Sequence, residues 1–137
     1  MAQEGGCCCG NVRYNIEGEP VVKALCHCSD CKKTSGSIYS TNAVYPESRF
    51  KILKGSTKEY TVTADSGNKM TSHFCGDCGS TIWREGATFA GLKVLKIGTL
   101  DDPEALEGLK PNAELYAPSR VSWVPALENA KQADKMS

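Results

Sequence analysis

The sequence predicts a mainly β domain of antiparallel strands with one or two short helices, and three observations predict it. Short runs alternate apolar with polar side chains, as Val12, Tyr14 and Ile16 do, which is the period of a half-buried strand. Turn-forming residues punctuate these runs at Gly18-Glu19-Pro20, Gly55-Ser56 and Asp65-Ser66-Gly67-Asn68. The clearest helix start is at Asp102, an N-cap followed by Pro103 at the first helical position. At 137 residues the chain fits one domain.

In chain order, residues 5–10 read Gly-Gly-Cys-Cys-Cys-Gly and enter the strand at 11–17. Extended chain there puts Cys7 and Cys9 on one face and Cys8 on the other. A second strand, 21–26, runs into Cys26, His27, Cys28 and Cys31. If residues 25–28 stay extended, Cys26 and Cys28 share a face, His27 takes the opposite one, and Cys31 folds back through the next turn. Residues 32–36 form a short helical turn ended by Gly36. Strands follow at 37–45, stopped by Pro46, then at 50–54, 59–63 and 70–74. The last of these delivers Cys75-Gly76-Asp77-Cys78-Gly79, where the glycine suits a tight knuckle whose backbone N–H groups donate to sulfur. Strands at 82–85 and 93–100 precede the helix at 101–108, with Gly108 as its stop. Residues 113–117 and 118–125 form the last ordered segment of a 1–127 domain. The polar, uncapped residues 128–137 are a tail that frays or packs as an arm.

Composition limits the function classes. Lys plus Arg and Asp plus Glu are both 16, so no net field draws in nucleic acid or an anionic membrane. The start has no basic and apolar leader, and no apolar run reaches spanning length. A soluble, cytoplasmic protein is expected, in which eight cysteines serve more readily as metal ligands than as disulfides.

Three cysteine clusters exist: Cys7 with Cys9, Cys26 with Cys28 and Cys31, and Cys75 with Cys78. The simplest partition joins the first and third as a closed four-thiolate zinc site. It leaves Cys26, Cys28 and Cys31 as a three-thiolate site with one open position, the usual layout of a catalytic zinc. Spacing alone also admits a second structural site completed by Cys8, His27 or His73. Lys32, Lys33 and Arg120 are candidates to offset thiolate charge or to meet a substrate carboxylate. Trp83 and Trp123 are read as core residues before pocket residues.

Residues 5–14 (GGCCCGNVRY), 26–37 (CHCSDCKKTSGS), 74–83 (FCGDCGSTIW) and 98–103 (GTLDDP) together resemble the glutathione-dependent formaldehyde-activating enzyme family, also called the CENP-V/GFA family. The likeness runs from Gly5 to about Pro125, and SRVSWVPAL near the end is similar to the fungal branch. The resemblance implies a fold shared with Rab-exchange accessory proteins, with layered sheets around a zinc site. It implies two zincs per chain, a structural one on Cys7, Cys9, Cys75 and Cys78 and a catalytic one on Cys26, Cys28 and Cys31. Cys8 falls at a variable position of the family motif and has no implied role. The implied activity is that of a carbon–sulfur lyase joining glutathione, as co-substrate, to formaldehyde, with a small-molecule thiol or aldehyde as partner. A homodimer is compatible with all of this. The alternative is a non-enzymatic zinc-binding module that meets a protein partner, and a less favoured one is a thiol or zinc carrier.

Overall fold

The structure is a computed structural model describing residues 2–136. Two sheets form it. The smaller has the order β1 (Ala2–Gly6), β2 (Arg13–Glu17), β5 (Phe50–Lys54), all antiparallel. The larger contains β3 (Val22–Cys26), β4 (Ser40–Pro46), β6 (Thr57–Thr63), β7 (Lys69–Cys75), β8 (Thr81–Gly86), β9 (Leu92–Lys96), β10 (Ala113–Leu115) and β11 (Lys131–Gln132). Its spatial order is β11-β10-β3-β4-β9-β8-β7-β6, antiparallel except where β10 lies parallel to β3 and β11. Two short helices, α1 (Ser29–Ser35) and α2 (Pro103–Gly108), complete the mainly β fold expected from the sequence.

The core lies between the sheets. Tyr14 and Ile16 on β2 meet Ala43 and Tyr45 on β4, Leu95 on β9 and Trp83 on β8. Each projects from alternate positions of its strand, so the opposite face of the large sheet carries the intervening residues. Register lines those up in rows: Cys26 opposite Ser40, then Ala24–Asn42–Lys96, then Val22–Val44–Val94–Arg84. Gly5 is demanded by proximity, because a Cβ there would stand 2.4 Å from the Tyr14 hydroxyl and from the Thr99 carbonyl.

Several local expectations are corrected. Ala2–Gly6 is a strand, paired along its whole length with β2, that gives little pattern in sequence because it ends in Gly5-Gly6 and carries no large apolar side chain. Cys7–Gly10 is a turn, closed by the Gly10 N–H donating to the Cys7 carbonyl at 3.1 Å, not extended chain. β4 begins at Ser40, three residues later than expected, because residues 37–39 are bends. The strand at 93–100 stops at Lys96, where Ile97–Thr99 turns as a 3₁₀ segment that buries Ile97 and Leu100 in the core. Asp102 caps α2 as expected, accepting from the Glu104 N–H, but Gly108 lies inside the helix. The helix ends at Leu109, whose side chain turns into the core. Trp83 is a core residue, whereas Trp123 is 73% exposed on a turn.

Residues 131–133 pack as an arm. β11 pairs with β10, and the Tyr116 and Ala117 N–H groups donate to the Lys135 and Ala133 carbonyls at 3.0 and 2.9 Å. No helix of the described residues is long and apolar enough to cross a membrane.

Candidate metal centre and cavity

The first cysteine group is assembled from two turns. Cys7 and Cys9 come from the turn between β1 and β2, Cys75 is the last residue of β7 and Cys78 lies in the turn that follows, and their sulfurs all lie within 4.8 Å of one another. Cys7 and Cys9 sulfurs are 3.6 Å apart, and Cys9 and Cys75 sulfurs 3.7 Å. A tetrahedral zinc with four sulfurs at ordinary bond length sets its ligands about 3.8 Å apart. A disulfide would need about 2 Å. The residues fit zinc. Backbone N–H groups support the sulfurs, Val12 donating to Cys7 at 3.2 Å and Asp77 to Cys75 at 3.4 Å. Gly79, at φ 79°, turns the knuckle and donates its own N–H to the Cys75 carbonyl. Bonds from the Ser80 hydroxyl and backbone bring the Cys78 thiol down to about 5. Cys8 is exposed and lies outside the group; its N–H donates to the Ser80 hydroxyl.

The second group comes from one short segment. Cys26 ends β3, Cys28 caps α1 and Cys31 lies in its first turn; their sulfurs also fall within 4.8 Å of one another. Cys28 Sγ accepts from the Cys31 N–H at 3.3 Å, the bond that starts the helix, and Gly36 at φ 66° ends it. Among the described residues no fourth donor joins them. Without a cation the three sulfurs cannot all ionise. Sharing with Cys26 and Cys28 pulls the Cys31 thiol far down, and sharing with Cys28 and Cys31 pushes Cys26 far up. Clustered thiolates repel one another, and a bound divalent cation would favour the deprotonated form of all three.

His27 takes the opposite face, as strand parity predicts. It is 1% exposed, and its Nε2 lies 2.7 Å from Glu114 Oε1. Glu114 also accepts from the Leu127 N–H at 2.6 Å and from Gln132 Nε2 at 2.8 Å. Burial acts against its charge, but bonds from Gln132, Leu127 and His27 with the nearby Arg120 hold its carboxyl down at about 2. His73 stacks on Trp83 at 4.2 Å between ring centres and takes no part in either sulfur group.

The three sulfurs stand at one end of a cavity of about 200 Å³. Its floor is the outer face of the large sheet, including Ala24, Asn42, Val44, Val94, Lys96 and Arg84. Residues of the β6–β7 and β8–β9 connections, such as Asp65 and Phe89, form a wall with Tyr116 and Met136. The arm at 131–136 thereby holds Tyr116, whose φ of 52° is a left-handed conformation seldom adopted by a tyrosine.

Lys32, Lys33 and Arg120 do not line this cavity. Lys32 Nζ donates to the Ser119 carbonyl at 2.8 Å, Lys33 is exposed, and Arg120 reaches Glu114 and Gln132. The cations on the floor are Lys96 and Arg84, which sequence reasoning missed. Their only sequence signal is alternation within β8 and β9. Lys96 Nζ donates to Asn42 Oδ1 at 2.5 Å; burial lowers its affinity for a proton, and the charge on Cys31 partly restores it.

A family model for the glutathione-dependent formaldehyde-activating enzyme matches residues 2–119. The fold is similar to the crystal structure of a Rhodobacter sphaeroides protein, with a TM-score of 0.59 at 19% identity, covering 75% of this chain and 94% of that one.

Proposed function

The chain belongs to the glutathione-dependent formaldehyde-activating enzyme family, and from that premise we propose that it is a zinc-dependent carbon–sulfur lyase acting on a thiol adduct of an aldehyde, with glutathione as the expected thiol. The observation that carries this reading is the three-sulfur group, without a fourth protein donor among the described residues, at the end of a cavity. Cys26, Cys28 and Cys31 would hold the catalytic zinc, and Cys7, Cys9, Cys75 and Cys78 the structural one. A zinc with three thiolate ligands supplies Lewis acidity and stabilises a further sulfur as thiolate.

The chain's own groups prepare the rest. Lys96, fixed by Asn42, sets a positive charge against the sulfur group. Val44, Val94 and Phe89 give the cavity an apolar lining. His27 and Glu114 anchor the segment between Cys26 and Cys28 from behind. In the lytic direction the C–S bond of the adduct breaks and its electron pair goes to sulfur, while the adjacent hydroxyl loses its proton and becomes the aldehyde carbonyl. Synthesis is the reverse. None of the eight cysteines is in a disulfide, which suits a reducing, cytoplasmic setting.

The test is zinc content and turnover, above the spontaneous rate, in wild type and Cys28→Ser, with zinc-edge X-ray absorption as glutathione is added. Two zincs per chain, one of them gaining a sulfur neighbour, and at least a hundredfold loss of turnover in a folded one-zinc Cys28→Ser are expected. Full activity in Cys28→Ser overturns the assignment. Two zincs already saturated by protein sulfur and indifferent to glutathione would establish the non-enzymatic module instead.

A further inference from the structure

Arg84 is a buried cation with no counter-ion among the described residues. It is 5% exposed, it lines the cavity, and its Nε has no hydrogen-bond partner. Its chain neighbour Glu85 leaves by the other face and pairs with Lys93 at 2.7 Å. Asp30 and Asp65 also border the cavity, yet no carboxylate of the described residues comes within ion-pair distance of the guanidinium. A guanidinium cannot lose its proton to escape this cost, so burial leaves it charged and short of acceptors. Its planar fork is matched by the two oxygens of a carboxylate.

Register separates its role from that of Lys96. The Cys26–Ser40 row is followed by the Asn42–Lys96 row and then by the Val44–Val94–Arg84 row. Each row is two residues along the strands, about 7 Å, and neighbouring strands lie about 4.8 Å apart. Lys96 stands one row from Cys26 and two strands across, is bonded to Asn42 and offsets the charge of the sulfurs. Arg84 stands two rows and three strands away, with apolar Val94 beside it on the floor, and neither Asn42 nor a sulfur engages it.

We infer that Arg84 is the carboxylate-recognition residue of the cavity, and that the substrates are thiols, or their aldehyde adducts, bearing a carboxylate several bonds from sulfur. This rests on the thiol reading of the sulfur group and adds to it the residue that selects among thiols. The cavity, at about 200 Å³, lies below the roughly 300–1,000 Å³ of pockets that enclose drug-sized ligands. It therefore takes a short mercapto acid whole, or one carboxylate-bearing arm of a tripeptide.

The experiment is calorimetric titration of the zinc-loaded protein with 6-mercaptohexanoate, with neutral 6-mercaptohexanol and with propionate, which lacks sulfur. Wild type is expected to prefer 6-mercaptohexanoate over 6-mercaptohexanol by about tenfold or more. Arg84→Met keeps the stem and both zincs, and its thermal midpoint should equal or exceed that of wild type, since an unpaired buried charge is removed. Its preference should fall below about twofold. Arg84→Gln serves as the second variant if methionine does not fold. Arg84-dependent binding of propionate that survives Cys28→Ser supports the anion site even if no thiol binds, in which case it is the lyase reading that fails. Thiol binding with an undiminished carboxylate preference in a folded Arg84→Met or Arg84→Gln overturns the inference and leaves the lyase reading standing.

Discussion

The four-cysteine and three-cysteine groups present the same ligand atom and differ in what they join. Cys9 and Cys75 are 66 residues apart, and their group ties the turn after β1 in the small sheet to the turn after β7 in the large one. Cys26, Cys28 and Cys31 come from a single short segment, and a metal among them closes only very short loops. Closing a long loop removes more freedom from the unfolded chain, so an ion in the first group stabilises the fold more than one in the second. None of the four sulfurs of the first group lines the cavity, whereas all three of the second do. Distance along the chain thus separates a staple from a site able to host chemistry.

The comparison breaks most visibly at Cys75. Cys75→Ser should lose one zinc and destabilise the chain by on the order of 5 kcal/mol, read by metal analysis and denaturant unfolding. A mutant with wild-type stability would remove the distinction between the two groups.

A smaller effect is expected behind the three-cysteine group, from Glu114. Its folded carboxyl titrates at about 2 against an ordinary 4.5, so the stability it contributes is present above pH 4.5 and is lost as pH falls toward 2. That loss amounts to at most about 3 kcal/mol. Glu114→Gln should be less stable than wild type at pH 7 and have a flatter acid profile, compared at matched zinc content. Parallel profiles would show that the carboxylate is not what anchors His27.

Cys28→Ser should cost only about 1 kcal/mol, because serine replaces cysteine as a good N-cap of α1 and the group it dismantles closes short loops. Thermal unfolding of the one-zinc protein checks this, and a cost as large as that of Cys75→Ser would equate the groups. The smallest change is expected for Ser80→Ala, which removes a hydroxyl placed 3.0 Å from the Cys8 N and 3.3 Å from the Cys78 sulfur. About 0.5–1 kcal/mol and faster zinc release to a chelator are expected, with turnover unchanged.

Legibility followed the range of the interaction. The cysteine groups could be read because ligand spacing is local, even though the extended chain expected at Cys7–Cys9 is a turn, and parity placed His27 away from the sulfurs. Most strands could be read from alternation. The cavity could not be, because its floor exists only once β3, β4, β9 and β8 are in register, and nothing local says that Lys96 will stand beside Asn42 or Arg84 beside Val94. Lys32, Lys33 and Arg120 drew notice by nearness in sequence, yet α1 carries the first two to a surface where Lys32 meets Ser119. Nothing local marks Glu114, since its partners His27, Leu127 and Gln132 come from other segments of the chain.

The large sheet is used on both faces, with Ala43, Tyr45, Trp83 and Leu95 pointing one way and Asn42, Val44, Arg84, Val94 and Lys96 the other. On these strands, parity therefore sorts heritable variation into two nearly independent channels. Changes at one set of positions alter packing and are filtered by whether the chain folds at all. Changes at the other set reshape a cavity wall over an unaltered core, so the lining can be altered one position at a time while the packing between the sheets stays as it is.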